Sequence, residues 1–422
     1  MYAFLAAALI RYVTIGTDAF PEVHAADADA RLVSSDGQVA VVEIHEEDLE
    51  ELSALMHEHH DRCGGYMVHD TLEEALAQDA PTRGPVEYTI DRGATVRWAI
   101  GHIDAAQILK TIAELSSMQN RYYQSKHGAE ASLWLQDKWQ KLAAGRDDVT
   151  IELFDQGYPQ KSVIMTIRGT TKPDEVIVIG GHLDSIALGG KAANAPGADD
   201  DASGVATLTE VARVLLQEGY RPDRTIKFMA YAAEEVGLRG SLAIARDFQK
   251  RKVNVVGALQ LDMTNYQGSD KDIWLMKDFT DAKQNAFMVQ LIERYVNATY
   301  GFDACGYACS DHASWTRIGV PASMPFESRM NERNKQIHTK KDTLELSANN
   351  AQHAAKFARL GAAYAIELGK GGITNSGQPH SDAQLTLPDF HATKSSDSSS
   401  DTAAIVSLLL LVAGFAMSRR IV

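Results

Sequence analysis

Apolar positions along the chain recur at two periods, and the change from one to the other predicts where helices and strands lie. Between Ile44 and Cys63, Leu49, Leu52, Leu55 and Met56 recur at helical spacing, so this stretch predicts a helix. A short helical stretch begins at Glu74 to Ala77, and the breaker-rich run 79–85 (DAPTRGP) closes this first section. From residue 105 the chain alternates. Helices are predicted over 105–120, 129–142, 203–217, 240–251, 281–300 and 350–368. Strands are predicted over 161–168, 175–180, 225–232, 256–262 and 321–327. The 175–180 run (EVIVIG) is of the type buried on both faces. Strands separated by helices imply an α/β fold, a mixed and mostly parallel sheet flanked by helices on both faces. In such sheets ligands bind beyond the carboxyl ends of the strands. Functional polar residues should therefore follow apolar runs.

They do. His182 and Asp184 follow EVIVIGG, and Glu234 and Glu235 follow TIKFMAYAA. Asp262 follows VGALQL, and a loop after PASMPFE leads to His338. Asp199, Asp200 and Asp201 sit in a turn that enters the 203–217 helix. Imidazole and carboxylate together suit zinc, and catalytic zinc keeps one position open for water. Each signal alone is ordinary. A histidine after a strand is commonly a hydrogen-bonded core or surface residue, a Glu pair a solvated face, and an Asp run a loop or helix cap. The combination of four strand ends and an acidic triplet is not ordinary, because crowded carboxylates repel one another unless a cation is present.

Composition narrows the classes. With 422 residues and 45% hydrophobic content, the chain can build one large domain plus accessory segments. A formal net charge of −15 argues against a nucleic-acid partner. The three cysteines, Cys63, Cys305 and Cys309, are too few for a disulfide scaffold or a structural zinc site. Cys305 and Cys309 could close a tight disulfide in an exported protein or stay reduced in the cytosol. The apolar start, MYAFLAAALI, lacks the basic residue of a signal peptide and reads as a degenerate export signal or as a buried strand or short helix. At the other end a Ser-rich linker (391–401) precedes Ala403 to Met417, apolar except for Ser407, and then Arg419 and Arg420. As a helix this segment reaches ~22 Å against a ~30 Å hydrocarbon core, and its flanks bring it near spanning length. The arginine pair would lie on the cytoplasmic side, which puts the main body outside the cytoplasm. The arrangement resembles bacterial C-terminal sorting signals, without the Gly-Gly some of them carry.

Five stretches, APGADDDASG, FMAYAAEEVGLRGS, ALQLDM, CGYACSDHASW and IHT, resemble the secreted leucyl-type aminopeptidases of the M28 family of zinc peptidases. The likeness runs from about residue 48 to 370 and includes 57–69 (HEHHDRCGGYMVH), similar to the propeptide of the bacterial two-zinc enzyme. The resemblance implies a zinc-peptidase fold with a small N-terminal propeptide. Together with the composition of the two ends, it divides the chain into a signal remnant and propeptide (1–85), a catalytic domain (86–370), a polar linker (371–401) and a C-terminal membrane segment or sorting tail (402–422). It implies two zinc ions per chain, one on His182 and Asp262, the other on Glu235 and His338, bridged by Asp200, whose peptide bond to Asp201 is expected to be cis. Asp184 would orient His182, and its other role would be a helix or turn cap. Glu234 would be the general base, taking a proton from zinc-activated water as the hydroxide attacks the scissile carbonyl. Met263, Tyr307, Met324, Phe326 and Ile337, with Cys305 and Cys309 paired in a disulfide, would form an apolar pocket for an N-terminal Leu or similar residue; singly, each also reads as ordinary core. The expected partner is a peptide with a free N-terminus, the expected chain a monomer, and the expected location secreted, periplasmic or at the cell surface, with possible membrane contact through the tail. Three other readings share the fold: a one-zinc glutaminyl cyclase, a carboxypeptidase on the same metal pair, and a binding module without chemistry.

Overall fold

The computed structural model describes residues 9–374 apart from 61, 63, 78–85 and 188. The apolar start up to residue 8, Cys63, the breaker-rich linker, the polar linker beyond residue 374 and the C-terminal segment lie outside the described residues. Among the described residues no helix is long and apolar enough to cross a membrane.

The N-terminal section holds more strand than its helical periodicity suggested. It runs β1 (Ile10–Gly16), α1 (Phe20–Ala26), β2 (Arg31–Ser35), β3 (Val39–His45), α2 (Leu49–His60), β4 (Tyr66–His69) and α3 (Leu72–Leu76). The four strands form an antiparallel sheet in the order β2-β3-β1-β4. The helix predicted from Ile44 therefore begins at Leu49. Ile44 and His45 complete β3, whose Val41, Val42 and Ile44 are buried, and a single 3-10 turn (Glu46–Asp48) separates strand from helix. An Asp36–Gly37 turn joins β2 to β3, with the Asp36 carboxylate accepting the amides of Gln38 and Val39 at 2.8 Å. Three of the four predicted stripe positions of α2 hold: Leu49, Leu52 and Met56 pack on Val13, Ile15, Val42 and Ile44, while Leu55 is only partly buried and stands outside this cluster.

The remaining elements build one α/β body: α4 (Gly93–Ile100), α5 (Ala105–Ser116), α6 (Lys126–Leu142), β5 (Val149–Phe154), β6 (Ser162–Ile167), β7 (Lys172–His182), α7 (Ala202–Gln217), β8 (Tyr220–Arg221) and β9 (Arg224–Tyr231). They continue with α8 (Arg239–Lys250), β10 (Asn254–Gln260), β11 (Ile273–Met276), α9 (Ala282–Leu291), β12 (Tyr300–Asp303), α10 (His312–Arg317), β13 (Ala322–Ser323), β14 (Pro325–Phe326), α11 (Ala354–Gly369) and β15 (Gly372–Ile373). The central sheet has the order β13-β10-β7-β9-β6-β5; the first four strands are parallel, β6 runs against them, and β5 is antiparallel to β6. This is the mixed, mostly parallel sheet expected from the strand–helix alternation. β7 is its middle: Ile177 and Ile179 pack on one face with α7 and α11, Val176 and Val178 on the other with α8 and α10. Burial on both faces explains the unbroken apolar run in its sequence.

The helices predicted over 105–120 and 350–368 are observed as Ala105–Ser116 and Ala354–Gly369, and two other elements differ more. The helix expected to reach residue 300 ends at Leu291 and passes through a single π turn (Ile292–Val296). Asn297 then turns the chain at φ 54° so that Tyr300–Asp303 can pair with β11. Asn tolerates that left-handed conformation better than most residues do. The strand expected over 321–327 splits, with β13 on β10 and β14 on β11.

Candidate active site

The predicted polar residues converge at the carboxyl ends of β7, β9 and β10. His182 is the last residue of β7, Glu234 and Glu235 lie just past β9, and Asp262 lies just past β10. Asp200 precedes α7, and His338 enters from the loop after β14. All six are buried.

Asp200 stands between the two histidines. Its Oδ1 is 2.9 Å from His182 Nε2, and its Oδ2 is 3.3 Å from His338 Nε2. On the first side Asp262 Oδ1 lies 3.7 Å from His182 Nε2; on the second, Glu235 Oε2 lies 2.7 Å from His338 Nε2. Glu234 Oε2 faces His182 Nε2 at 4.0 Å. Two adjacent glutamates reach opposite sides of Asp200 because the backbone after β9 is irregular, with Ala233, Gly237 and Leu238 all at positive φ. Donor atoms of His182, Asp200 and Glu235 fall within 4.8 Å of one another, as do those of His182, Asp201 and Asp262. The Asp200–Asp201 peptide bond is cis, as expected.

The electrostatics show what kind of group the site suits. Burial acts against the charge on His182 and His338, yet neighbouring carboxylates prevail; they hold His182 well above its usual range and His338 at about 10. Burial likewise works to raise Asp200, but hydrogen bonds from the two imidazoles keep it well below the carboxylate range. Glu235 is pushed up to about 7 by burial and by the charge on Asp200. Both carboxyl oxygens of Glu234 are buried with no hydrogen-bond partner. A buried pocket with this much negative charge, two convergent imidazoles and a carboxyl without a hydrogen-bond partner fits cations and a water held between them.

Asp201 is not a free ligand. Its oxygens accept the amides of His182 (3.0 Å), Gly204 (2.8 Å) and Met263 (3.1 Å), which makes it the N-cap of α7. Of the two parts expected of Asp184, the turn cap is made and the imidazole is near without a hydrogen bond. It lies 3.5 Å from His182 Nδ1, and it caps the turn after β9 by accepting the amides of Glu234 and Glu235 at 3.0 and 3.1 Å. Behind Asp262, Ser310 Oγ donates to Asp262 Oδ2 at 2.5 Å, and Gln260 donates to Ser310 and Asp311. No periodicity marks Ser310 or Gln260 in the sequence.

Cys305 and Cys309 form a disulfide. Beside them the predicted pocket residues Met263, Met324, Phe326 and Ile337 pack together with Tyr307, and Trp274, Met276 and Met330 join the cluster. Trp274 and Met276 carry no sequence signal because strand β11 is a short apolar run without a motif, and Met330 sits in a single 3-10 turn (Met330–Glu332) in a polar stretch.

The N-terminal section lies on the site. The His57 ring of α2 sits 4.5 Å from the His338 ring, centroid to centroid. Ser53 Oγ donates to the Glu235 carbonyl at 3.1 Å, and the Tyr122 hydroxyl donates to Glu50 at 2.9 Å. β4 approaches so closely that a Cβ on Gly237 (φ 97°) would meet Val68 at 2.5 Å. Between α2 and His338 a cavity of about 150 Å³ remains, walled by Glu50, His57, Tyr122, Ile186 and Val236 among others. Outward from it, Glu46 binds the Arg239 guanidinium at 2.7 and 3.1 Å. A separate group in the N-terminal section, Asp27, His45 and Asp48, also brings donor atoms together, but the Asp27 oxygens already accept from Asp29 and His45.

A family model described as peptidase family M28 matches residues 162–361. The chain is 38% identical over 281 residues to a probable aminopeptidase of Saccharomyces cerevisiae, covering 64% of this chain and 75% of that protein. It is 37% identical over 279 residues to leucine aminopeptidase 1 of Pyrenophora teres f. teres, covering 63% and 71% respectively. Among solved structures it is similar to the LapA aminopeptidase of Legionella pneumophila, with a TM-score of 0.77 at 28% identity over 86% of this chain and 99% of that one.

Proposed function

Because the chain belongs to peptidase family M28, a family of hydrolases, we propose that it is a two-zinc aminopeptidase that removes Leu or a similar apolar residue from the free N-terminus of peptides. The observation that carries this reading is Asp200, whose two oxygens address His182 and His338 separately. Asp262 completes the His182 side and Glu235 the His338 side. Zinc ions held there would polarise the scissile carbonyl and acidify water.

The chain's own residues do the rest. Glu234, with both oxygens unengaged, takes the proton from the attacking water and returns it to the leaving amine. Asp184 fixes the His182 ring by facing its Nδ1, so that Nε2 points inward. The methionine- and aromatic-rich cluster around Met263 and Phe326 receives the N-terminal side chain. Names of the relatives, both aminopeptidases, support release from the amino end over the carboxyl end.

The N-terminal section is read as a propeptide. In its present position α2 stands at the site, with His57 against His338 and Ser53 on the Glu235 carbonyl. A peptide substrate would have to displace it. Export is supported by the Cys305–Cys309 disulfide, a bond typical of oxidising compartments.

The test is hydrolysis of leucine p-nitroanilide and of its N-acetylated form, before and after limited proteolysis, with and without a chelator. Cleavage of the free-amine substrate alone, abolished by chelation and raised by proteolysis, is expected. Cleavage of neither substrate by protein carrying two zinc ions would end the aminopeptidase reading.

A further inference from the structure

Arg121 is completely buried, yet its guanidinium is spent on main-chain carbonyls. Nε donates to Leu183 O at 2.8 Å, Nη1 to Pro196 O at 2.5 Å and Nη2 to Gly197 O at 2.9 Å, with a longer contact to Leu115 O at 3.5 Å. Leu183 lies between His182 and Asp184. Pro196 and Gly197 lead into Asp199–Asp201. One side chain thus ties the strand end that presents His182 to the loop that presents Asp200.

The loop is also held through its amides. The Asp342 carboxyl accepts the N–H of Asp199 and of Asp200 (3.2 and 3.1 Å for the shorter contacts), and the Asp342 carbonyl accepts the N–H of Ala198 at 3.1 Å. A cationic side chain on the carbonyls and an acidic one on the amides match the polarity of each end of the loop. The approach is tight at Gly197, where φ is +50° and an added Cβ would lie 2.4 Å from Asp200 O and 2.8 Å from Arg121 Nη2. Arg121 is fixed in turn: its amide donates to Ser185 Oγ at 3.0 Å and its carbonyl accepts from Gln160 Nε2 at 2.9 Å. Among the described residues no carboxylate makes an ion pair with Arg121, so the charge serves the loop and the field of the acidic site rather than a surface partner.

We propose that Arg121, with Asp342 as its counterpart, is a positioning pair that sets the separation of His182 and Asp200 and thereby the affinity of the site for its metal ions. The proposal rests on the two-zinc reading above. Lysine cannot replace the arginine, because a single ammonium cannot span three carbonyls that a planar fork reaches together.

The test uses the full chain and the variants Arg121→Lys, Arg121→Met and Asp342→Asn. Zinc affinity is measured by competition with a chromophoric chelator, and amide exchange is followed in metal-free protein. Each variant is expected to bind zinc 10- to 100-fold more weakly, the usual cost of losing a group that supports metal ligands. Amides at 198–201 should exchange faster while β10 and α11 keep their protection, and kcat should fall with KM little changed. A residue needed only for folding would lower the melting temperature but leave zinc affinity in the folded fraction unchanged. Any folded variant with wild-type zinc affinity and wild-type exchange at 198–201 overturns the proposal. Should neither Arg121 variant fold, Asp342→Asn decides it by the same two readouts. If the wild-type chain takes up fewer than two zinc ions, the two-zinc reading fails instead, and the exchange data alone confirm or overturn the clamp.

Discussion

Replacing Glu234 with glutamine separates the chemistry of the site from its assembly. The two side chains have nearly the same volume, and neither oxygen of Glu234 has a hydrogen-bond partner to lose. Burial first, and then the charges of Asp311, Glu235 and Asp262, push the Glu234 carboxyl well above its usual range, against the pull of His182. A neutral amide relieves that repulsion, so Glu234→Gln should fold at least as stably as the parent and bind the same metal. What it loses is the ability to take a proton. General-base catalysis is typically worth ~10²- to 10⁴-fold, which at about 1.4 kcal/mol per decade is about 3–5 kcal/mol of transition-state stabilisation. The assay is kcat for leucine p-nitroanilide on proteolytically processed protein, with zinc content measured on the same sample and melting temperature by circular dichroism. A fall of two to four decades with two zinc ions retained and no loss of melting temperature is expected. A kcat within tenfold of wild type, at full metal content, would remove Glu234 from the proton transfer.

Two further predictions concern the N-terminal section. Glu46→Gln breaks the paired contact with Arg239 and weakens that with Arg11; with charge-assisted hydrogen bonds worth about 1.5 kcal/mol at the low end, activity of the unprocessed chain should rise about tenfold while that of the processed enzyme does not. An unchanged ratio of processed to unprocessed activity would count against a docked, inhibitory section. His69 is held neutral, its pKa lowered to about 2 by burial and by the charges of Arg246 and Arg317. Because the folded value is depressed below the ordinary histidine value of 6.5, its share of stability is intact above pH 6.5 and is lost as pH falls towards the folded value. At pH 5.5 that loss is about 1.4 kcal/mol, and thermal melts of the wild type and of His69→Gln should differ in pH slope between 7.5 and 5.5. Parallel slopes would refute it.

Much of this protein could be read along the chain. The strands at the centre of the sheet announce themselves, because the middle stretches of β7, β9 and β10 are buried and carry mostly apolar runs. The candidate ligands could be found because a parallel sheet puts its polar chemistry where apolar runs stop, and His182, Glu235 and Asp262 obey that rule. The N-terminal sheet was hidden because β3 runs almost directly into α2, so one periodicity masked the other. That Asp200 rather than Asp199 faces both histidines was implied by resemblance, not by spacing. In space hydrogen bonding tells the triplet apart: Asp199 accepts from the Asn265 amide and the Asn334 side chain, and Asp201 is consumed by three amides.

Sequence alone determined what depends on neighbours in the chain: the alternation of strand and helix, the residue types at strand ends and the turn chemistry. Only the tertiary structure decided what depends on groups far apart. Arg121 meets Leu183 across 62 residues, Asp199 meets Asp342 across 143, and Ser53 meets Glu235 across 182. Such contacts carry no local signature, because a buried arginine or carboxyl is acceptable wherever the fold satisfies its hydrogen bonds, and which backbone groups arrive to do so is settled only when the chain has closed.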